Sequence, residues 1–198
     1  MTDKFVDLTE IKHYLRIDLA EDKHDPVLNM LNEHKTRNIQ DWIGRDITQD
    51  TYSEYFDIEE DQGSIFLAQY PISSVVGVTD NGIALTEDTD FYAYTNTGII
   101  KIRKIDPSLT SRGLTRKLGD FYPGLRTVTV TYVAGYSPIP GSIKEATLKL
   151  INREFYDRGV DDIKSQSSGS QSFTRADLRD GMPVGVYTLL HPYRRQFR

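Results

Sequence analysis

The strongest pattern of apolar and polar positions lies between residues 25 and 44. Leu28, Leu31, Ile39, Trp42 and Ile43 recur at three- and four-residue steps, while Glu33, Arg37 and Gln40 fall on the other side. That spacing predicts one long amphipathic helix. Asp25 is placed to cap its N-terminus, Pro26 suits the first helical position, and Gly44 suits a left-handed C-terminal residue. Ahead of it, residues 8–17 carry Ile11, Tyr14 and Leu15 on one stripe, with Thr9 as N-cap, and predict a shorter helix. Residues 8–44 thus form a helical hairpin closed by the polar, mostly acidic stretch 18–24.

Beyond Gly44 the period changes. Residues 51–56, 64–68, 74–79, 83–85, 91–94 and 98–102 are rich in β-branched and aromatic residues and are separated by turn signals, of which Asn81-Gly82 is the strongest. They predict a small antiparallel meander over 51–103. Residues 104–125, with Arg112, Arg116 and Lys117, read as an exposed loop. Residues 126–133 alternate strictly, with Val128 and Val130 on one face and Thr127, Thr129 and Thr131 on the other, the clearest strand of the chain. A third helix runs from a Ser142 cap to about 158, ended by Gly159. Its Ile143, Ala146, Leu148, Leu150, Ile151 and Phe155 make it the buried partner of the long helix. Residues 164–172 are Ser- and Gln-rich with nothing to bury, a flexible linker. Residues 173–198 regain apolar content but are too short for a core of their own.

The expected fold class is α+β: a helical bundle, made of the N-terminal hairpin plus the helix at 142–158, with an inserted antiparallel β-meander and an extended C-terminal arm. The expected organisation is a body over 1–163 (helices 8–17, 25–44 and 142–158, β-rich middle 51–133), a linker over 164–172 and a docking arm over 173–198.

Composition narrows the function. A chain of 198 residues buries about 70% of its unfolded surface and needs no staple. It has no cysteine, which removes disulfides, thiolate metal sites and cysteine nucleophiles. No apolar run approaches the ~20 residues of a membrane span, and the first residues lack a signal peptide's apolar core. The net charge of −5 argues against a free-standing nucleic-acid binder. Residues 171–198 hold five arginines against two aspartates, a net +3 that leaves −8 for the rest. An acidic body with a basic tail suits a tail that meets something acidic, such as another copy of the body, or one that is merely solvated.

No catalytic constellation stands out. His13, His24, His34 and His191 lie at no metal-ligand spacing. Asp18, Asp22 and Asp25 are close in sequence, but Lys23 and Asn29 occupy the Gly and Glu positions of a calcium loop, so a solvated acidic turn is the better reading. Glu59-Glu60-Asp61 keeps a hairpin end soluble. Glycine-rich phosphate loops and Gly-x-Ser-x-Gly elbows are absent from the sequence. No cofactor and no metal is expected.

Three blocks carry a family resemblance. Leu8 to Asp18 with Asp25-Pro26-Val27-Leu28 through Trp42-Ile43-Gly44-Arg45 resembles the N-terminal helices of the head-to-tail connector proteins of tailed bacteriophages, also called adaptor or head-completion proteins. Val128 to Tyr136 with Ile139-Pro140 is similar to that family's second block, and Tyr187 to Arg195 to its C-terminal signature. The resemblance implies a non-enzymatic virion protein at the head-tail interface, assembled in the host cytoplasm. It implies a ring, usually of twelve copies, that docks on the portal protein, extends the DNA channel and presents a surface to the stopper or tail-completion protein. DNA in the channel would meet it only transiently and without specificity, and no membrane is involved. The arm would dock on the portal or a neighbouring subunit through Leu189, Leu190, Pro192, Tyr193, Arg194, Arg195 and Phe197. Burial of Leu189, Leu190, Tyr193 and Phe197 contributes roughly 1.5–3 kcal/mol each, less the cost of ordering the segment. Glu33, Arg37 and Gln40 would be a face toward the next subunit or the channel, and Arg112, Arg116 and Lys117 loop contacts. The alternatives from other classes are a divalent-metal-dependent hydrolase built on the acidic turn and a weak, non-specific DNA-binding module.

Overall fold

A computed structural model describes residues 4–103, 119–157, 165–168, 171–174 and 178–195. In chain order the elements are α1 (Leu8–Leu15), α2 (Asp25–Ile43), β1 (Asp50–Ile58), β2 (Ser64–Phe66), β3 (Ile72–Asp80), β4 (Ile83–Leu85), β5 (Phe91–Tyr94), β6 (Ile99–Ile102), β7 (Gly124–Ala134), α3 (Gly141–Tyr156), β8 (Ser165–Ser168), β9 (Gln171–Thr174), β10 (Leu178–Arg179), β11 (Met182–Pro183) and α4 (Val184–Leu190), followed by a 3-10 turn at His191–Tyr193. The fold is α+β, with substantial β structure. The chain divides into two compact units, one of Met1–Arg45 with Pro138–Arg198 and one of Asp46–Ser137.

The first unit holds the helices. Val6, Ile11, Leu15, Leu28, Leu31 and Ile151 form a buried core drawn from α1, α2, α3 and the residues before α1. The helix starts differ from expectation. Asp7, not Thr9, caps α1: its Oδ1 accepts the Glu10 N–H at 2.7 Å, and Glu10 Oε2 accepts the Asp7 N–H at 2.9 Å. This reciprocal box satisfies two orphan donors at once, which a Thr9 cap would not. Asp25 is the first residue of α2 rather than its cap. Its carboxylate turns instead to Lys12 Nζ at 2.6 Å. Gly44 does end α2, at φ 78°. Ser142 lies inside α3, which follows Pro140 and ends at Tyr156; Gly159 is outside the described residues. Where a structureless linker was expected, Ser165–Ser168 pairs antiparallel with Gln171–Thr174. Such a ladder rests on backbone bonds and needs no apolar side chains.

The second unit is not a meander. Its four-stranded sheet has the order β1-β7-β3-β4, and a three-stranded sheet has the order β2-β6-β5. The Asn81-Gly82 hairpin is present, with Val78 opposite Leu85 and Asp80 opposite Ile83, and β5 pairs with β6 from Phe91–Ile102 to Tyr94–Ile99. The expectation failed for β1 to β3, which are not paired in chain order. The cause is β7. Val128, Val130, Tyr132 and Ala134 on one of its faces are all fully buried, and a strand buried this deeply belongs in a sheet's centre, bonded on both edges. β1 and β3 flank it, with Tyr52 and Val75 both opposite Tyr132. Ile65, Leu67, Phe91, Ile100, Ile102 and Phe121 complete that core.

Replacing Asp7 by Ala removes the capping box and should cost about 1 kcal/mol. The lower melting temperature is read by circular dichroism; an unchanged melt would mean that the box carries no stability.

Candidate functional site

The C-terminal segment was expected to reach away from its own body. Residues 178–195 instead lie against the ends of α2 and α3 within the first unit. Met182, Val186, Tyr187 and Leu190 are buried. Trp42 donates its Nε1–H to the Asp180 carbonyl at 3.0 Å and meets the Tyr187 ring edge-on at 5.6 Å. The Arg194 guanidinium lies 4.8 Å over the Trp42 ring and pairs with Asp180 at 2.7 Å, while Arg179 lies 4.3 Å over Tyr187. A cation above an indole face is held by the ring quadrupole, so these rings and guanidinium groups clasp the segment. Past α4, Arg45 Nε donates to the Tyr193 carbonyl at 2.9 Å, the Tyr193 and Ser142 hydroxyls lie 2.8 Å apart, and the Arg195 N–H donates to the Ile43 carbonyl at 2.8 Å. The last of these uses a carbonyl that the end of α2 would otherwise leave unpaired.

The expected docking residues are therefore divided. Leu190 is fully buried, Leu189, Tyr193 and Arg194 are half-buried, and Pro192 and Arg195 are exposed. Phe197 lies outside the described residues, as do Arg112, Arg116 and Lys117. Glu33 and Arg37 are exposed on α2 and approach to 4.0 Å as an i,i+4 pair, while Gln40 is half-buried. The acidic turn is closed by a buried lysine: Lys12 Nζ donates to the Glu21 carbonyl at 2.7 Å and the Leu19 carbonyl at 3.2 Å besides pairing with Asp25. Among the described residues no group of three acidic, histidine or cysteine side chains is arranged to hold a metal ion. His24 packs edge-on against Phe155 at 5.4 Å.

Sequence reasoning missed three partnerships: Trp42 with Asp180, Lys12 with the turn after α1, and Tyr132 with Glu54. Each joins residues whose local spacing carries no signal. In the second unit the Tyr132 hydroxyl donates to Glu54, whose carboxylate also accepts the Ala68 N–H at 3.2 Å. The Gln69 N–H in turn donates to the Tyr132 oxygen at 3.2 Å. Burial, reinforced by the bond to Glu54, pushes the Tyr132 phenol well above its ordinary range. Tyr52, 5.8 Å away, is pushed up to about 12 by burial and then by the Asp46 and Asp50 carboxylates.

Residues 4–196 match the family model described as head completion protein. The chain belongs to the head completion protein family. Solved structures share the fold of this head completion protein. They include a chain in the neck of an empty GTA particle computed with C6 symmetry (TM-score 0.58, 14% identity, 98% of this chain and 91% of that chain covered). Another is in the virion of a native gene transfer agent particle (TM-score 0.57, 16% identity, 98% and 91% covered). A third is in the neck of a native GTA particle computed with C12 symmetry (TM-score 0.55, 14% identity, 96% and 89% covered). No curated protein matches the sequence. As a head completion protein, the chain is a structural head-to-tail adaptor at the head-tail interface of a phage virion.

Two outcomes follow from this geometry. Leu190→Ala should cost about 2–5 kcal/mol, whereas Arg195→Ala, which keeps its backbone bond, should stay within about 0.5 kcal/mol; urea unfolding separates them. A phenol raised in the folded state contributes stability fully below its unfolded pKa of 10.0 and loses it as pH climbs through the folded value. The denaturation midpoint should fall between pH 10 and about 12, with a shallower fall in Tyr52→Phe. Equal slopes in the two proteins would show that Tyr52 does not contribute.

Proposed function

We propose that the chain assembles as a closed ring, of twelve copies, that docks on the portal protein and passes DNA toward the stopper or tail. The observation that carries this reading is the family match over nearly the whole chain. In this reading the protein is a structural part rather than a catalyst. Docking on the portal falls to the exposed Pro192 and Arg195 and the half-buried Leu189 of the C-terminal segment, together with Phe197. Leu190, Tyr193 and Arg194 have partners within their own chain, so they position that face. Glu33, Arg37 and Gln40 face the next subunit or the channel, and Arg112, Arg116 and Lys117 make loop contacts. Contact with DNA is weak and non-specific, because a channel wall that binds tightly would arrest its cargo. Repetition around a ring multiplies modest contacts into a firm assembly.

Particles made without the protein should fill with DNA but carry no tails, as electron micrographs would show. Arg195→Glu combined with Pro192→Asp should leave the melting temperature unchanged and reduce co-sedimentation with purified portal at least tenfold. Undiminished co-sedimentation would remove the C-terminal face from the portal contact.

A further inference from the structure

β1 is the edge strand of its sheet and is nine residues long. One side of it is laddered to β7 from Asp50 to Ile58; among the described residues no strand pairs with the other side. Proteins blunt long edges with proline, lysine, bulges or inward-pointing charges. β1 has neither proline nor lysine, and its one irregularity lies at the far end, between Phe56 and Ile58. The inward charge, Glu54, is taken up by Tyr132 and Ala68. One large apolar side chain of β1 itself stands open, and another lies across it on β7. Leu125 is 84% exposed, and Tyr55 is 57% exposed with Arg126 4.7 Å over its ring.

The charged side chains of β1 and the turn after it are all carboxylates, with Arg126 of β7 the cation over Tyr55. Residues 46–100 contain eleven carboxylates and no lysine, arginine or histidine. Asp50, Asp57, Glu59 and Glu60, on β1 and the turn after it, are exposed. We infer that the open edge of β1 receives an extended, lysine- or arginine-bearing segment of a different neck protein as a fifth strand. Backbone bonds supply the affinity of such an addition, and alternate side chains supply its specificity. Here the anchor is Tyr55, and the carboxylates select a cationic strand. This chain does not offer that strand from its described residues. Lys101 lies in β6 and Arg126 in β7, each the centre of its sheet with both sides paired, and β10, with Arg179, has only two residues. The inference rests on the head-to-tail adaptor reading and names the chemistry of one partner.

Hydrogen exchange on the isolated chain and on purified particles tests it directly. β1 amides should exchange at least tenfold more slowly in the particle. Carbodiimide coupling of particles should join Asp50, Glu59 or Glu60 to a lysine of another neck protein. Asp50→Lys and Glu59→Lys/Glu60→Lys should melt like the parent yet give at least tenfold fewer tailed particles. Equal β1 exchange in both states, or coupling to a second copy of this chain, would overturn the inference. If particles lacking the protein lose their tails while these variants keep them, only the edge-strand inference fails and the adaptor reading stands.

Discussion

The burial of one face of β7 governs the second unit. Val128, Val130, Tyr132 and Ala134 can leave water together only if strands cover both edges of β7 and a second layer covers its apolar face. β1 and β3 supply the edges, and β2, β5 and β6 contribute Ile65, Phe91, Ile100 and Ile102 to the layer. Tyr132 adds a polar requirement, since a buried hydroxyl without a partner costs free energy. Glu54 meets it, and the same carboxylate ties down the Ala68 N–H. One strand thus sets the sheet order and fixes the chain that runs past β1.

In the first unit, one segment supplies both core residues and the face proposed for docking. Leu190 and Tyr187 belong to the interior, while Pro192 and Arg195, within a few residues, face solvent. A helix as short as α4 has little stability alone. It is held because Trp42, at the end of α2, presents an indole N–H to the Asp180 carbonyl and a ring face to Arg194. Anchoring the segment removes conformational freedom before any partner arrives, which lowers the entropic cost of binding.

The elements written in short-range periodicity were legible in the sequence. The α2 stripe, its Gly44 stop, the Asn81-Gly82 hairpin and the Val/Thr alternation of β7 all declare themselves within a few residues. Caps were less legible, because Asp7 and Thr9 are both good capping residues and only the reciprocal bond with Glu10 decides between them. Sheet order was not legible. The pairing of Tyr52 with Tyr132 spans eighty residues of sequence, and no local pattern says which strand β7 will accept. For the same reason the terminal segment read as an arm: its apolar residues were visible, but their partners on α2 were not.

The distribution of charge shows how the two demands are reconciled. The buried ionisable groups are satisfied internally: Lys12 by Asp25 and two carbonyls, Arg45 by the Tyr193 carbonyl, and Asp80 by the Tyr122 N–H at 3.0 Å, as is the half-buried Glu54 by Tyr132 and Ala68. The surface of the second unit is left unbalanced, with no cation between residues 46 and 100, while Arg103 and Arg126 lie over Tyr92 and Tyr55. Like charges gathered on one surface repel one another and weaken the isolated fold somewhat. They also keep free copies apart and speed encounter with a partner of opposite sign.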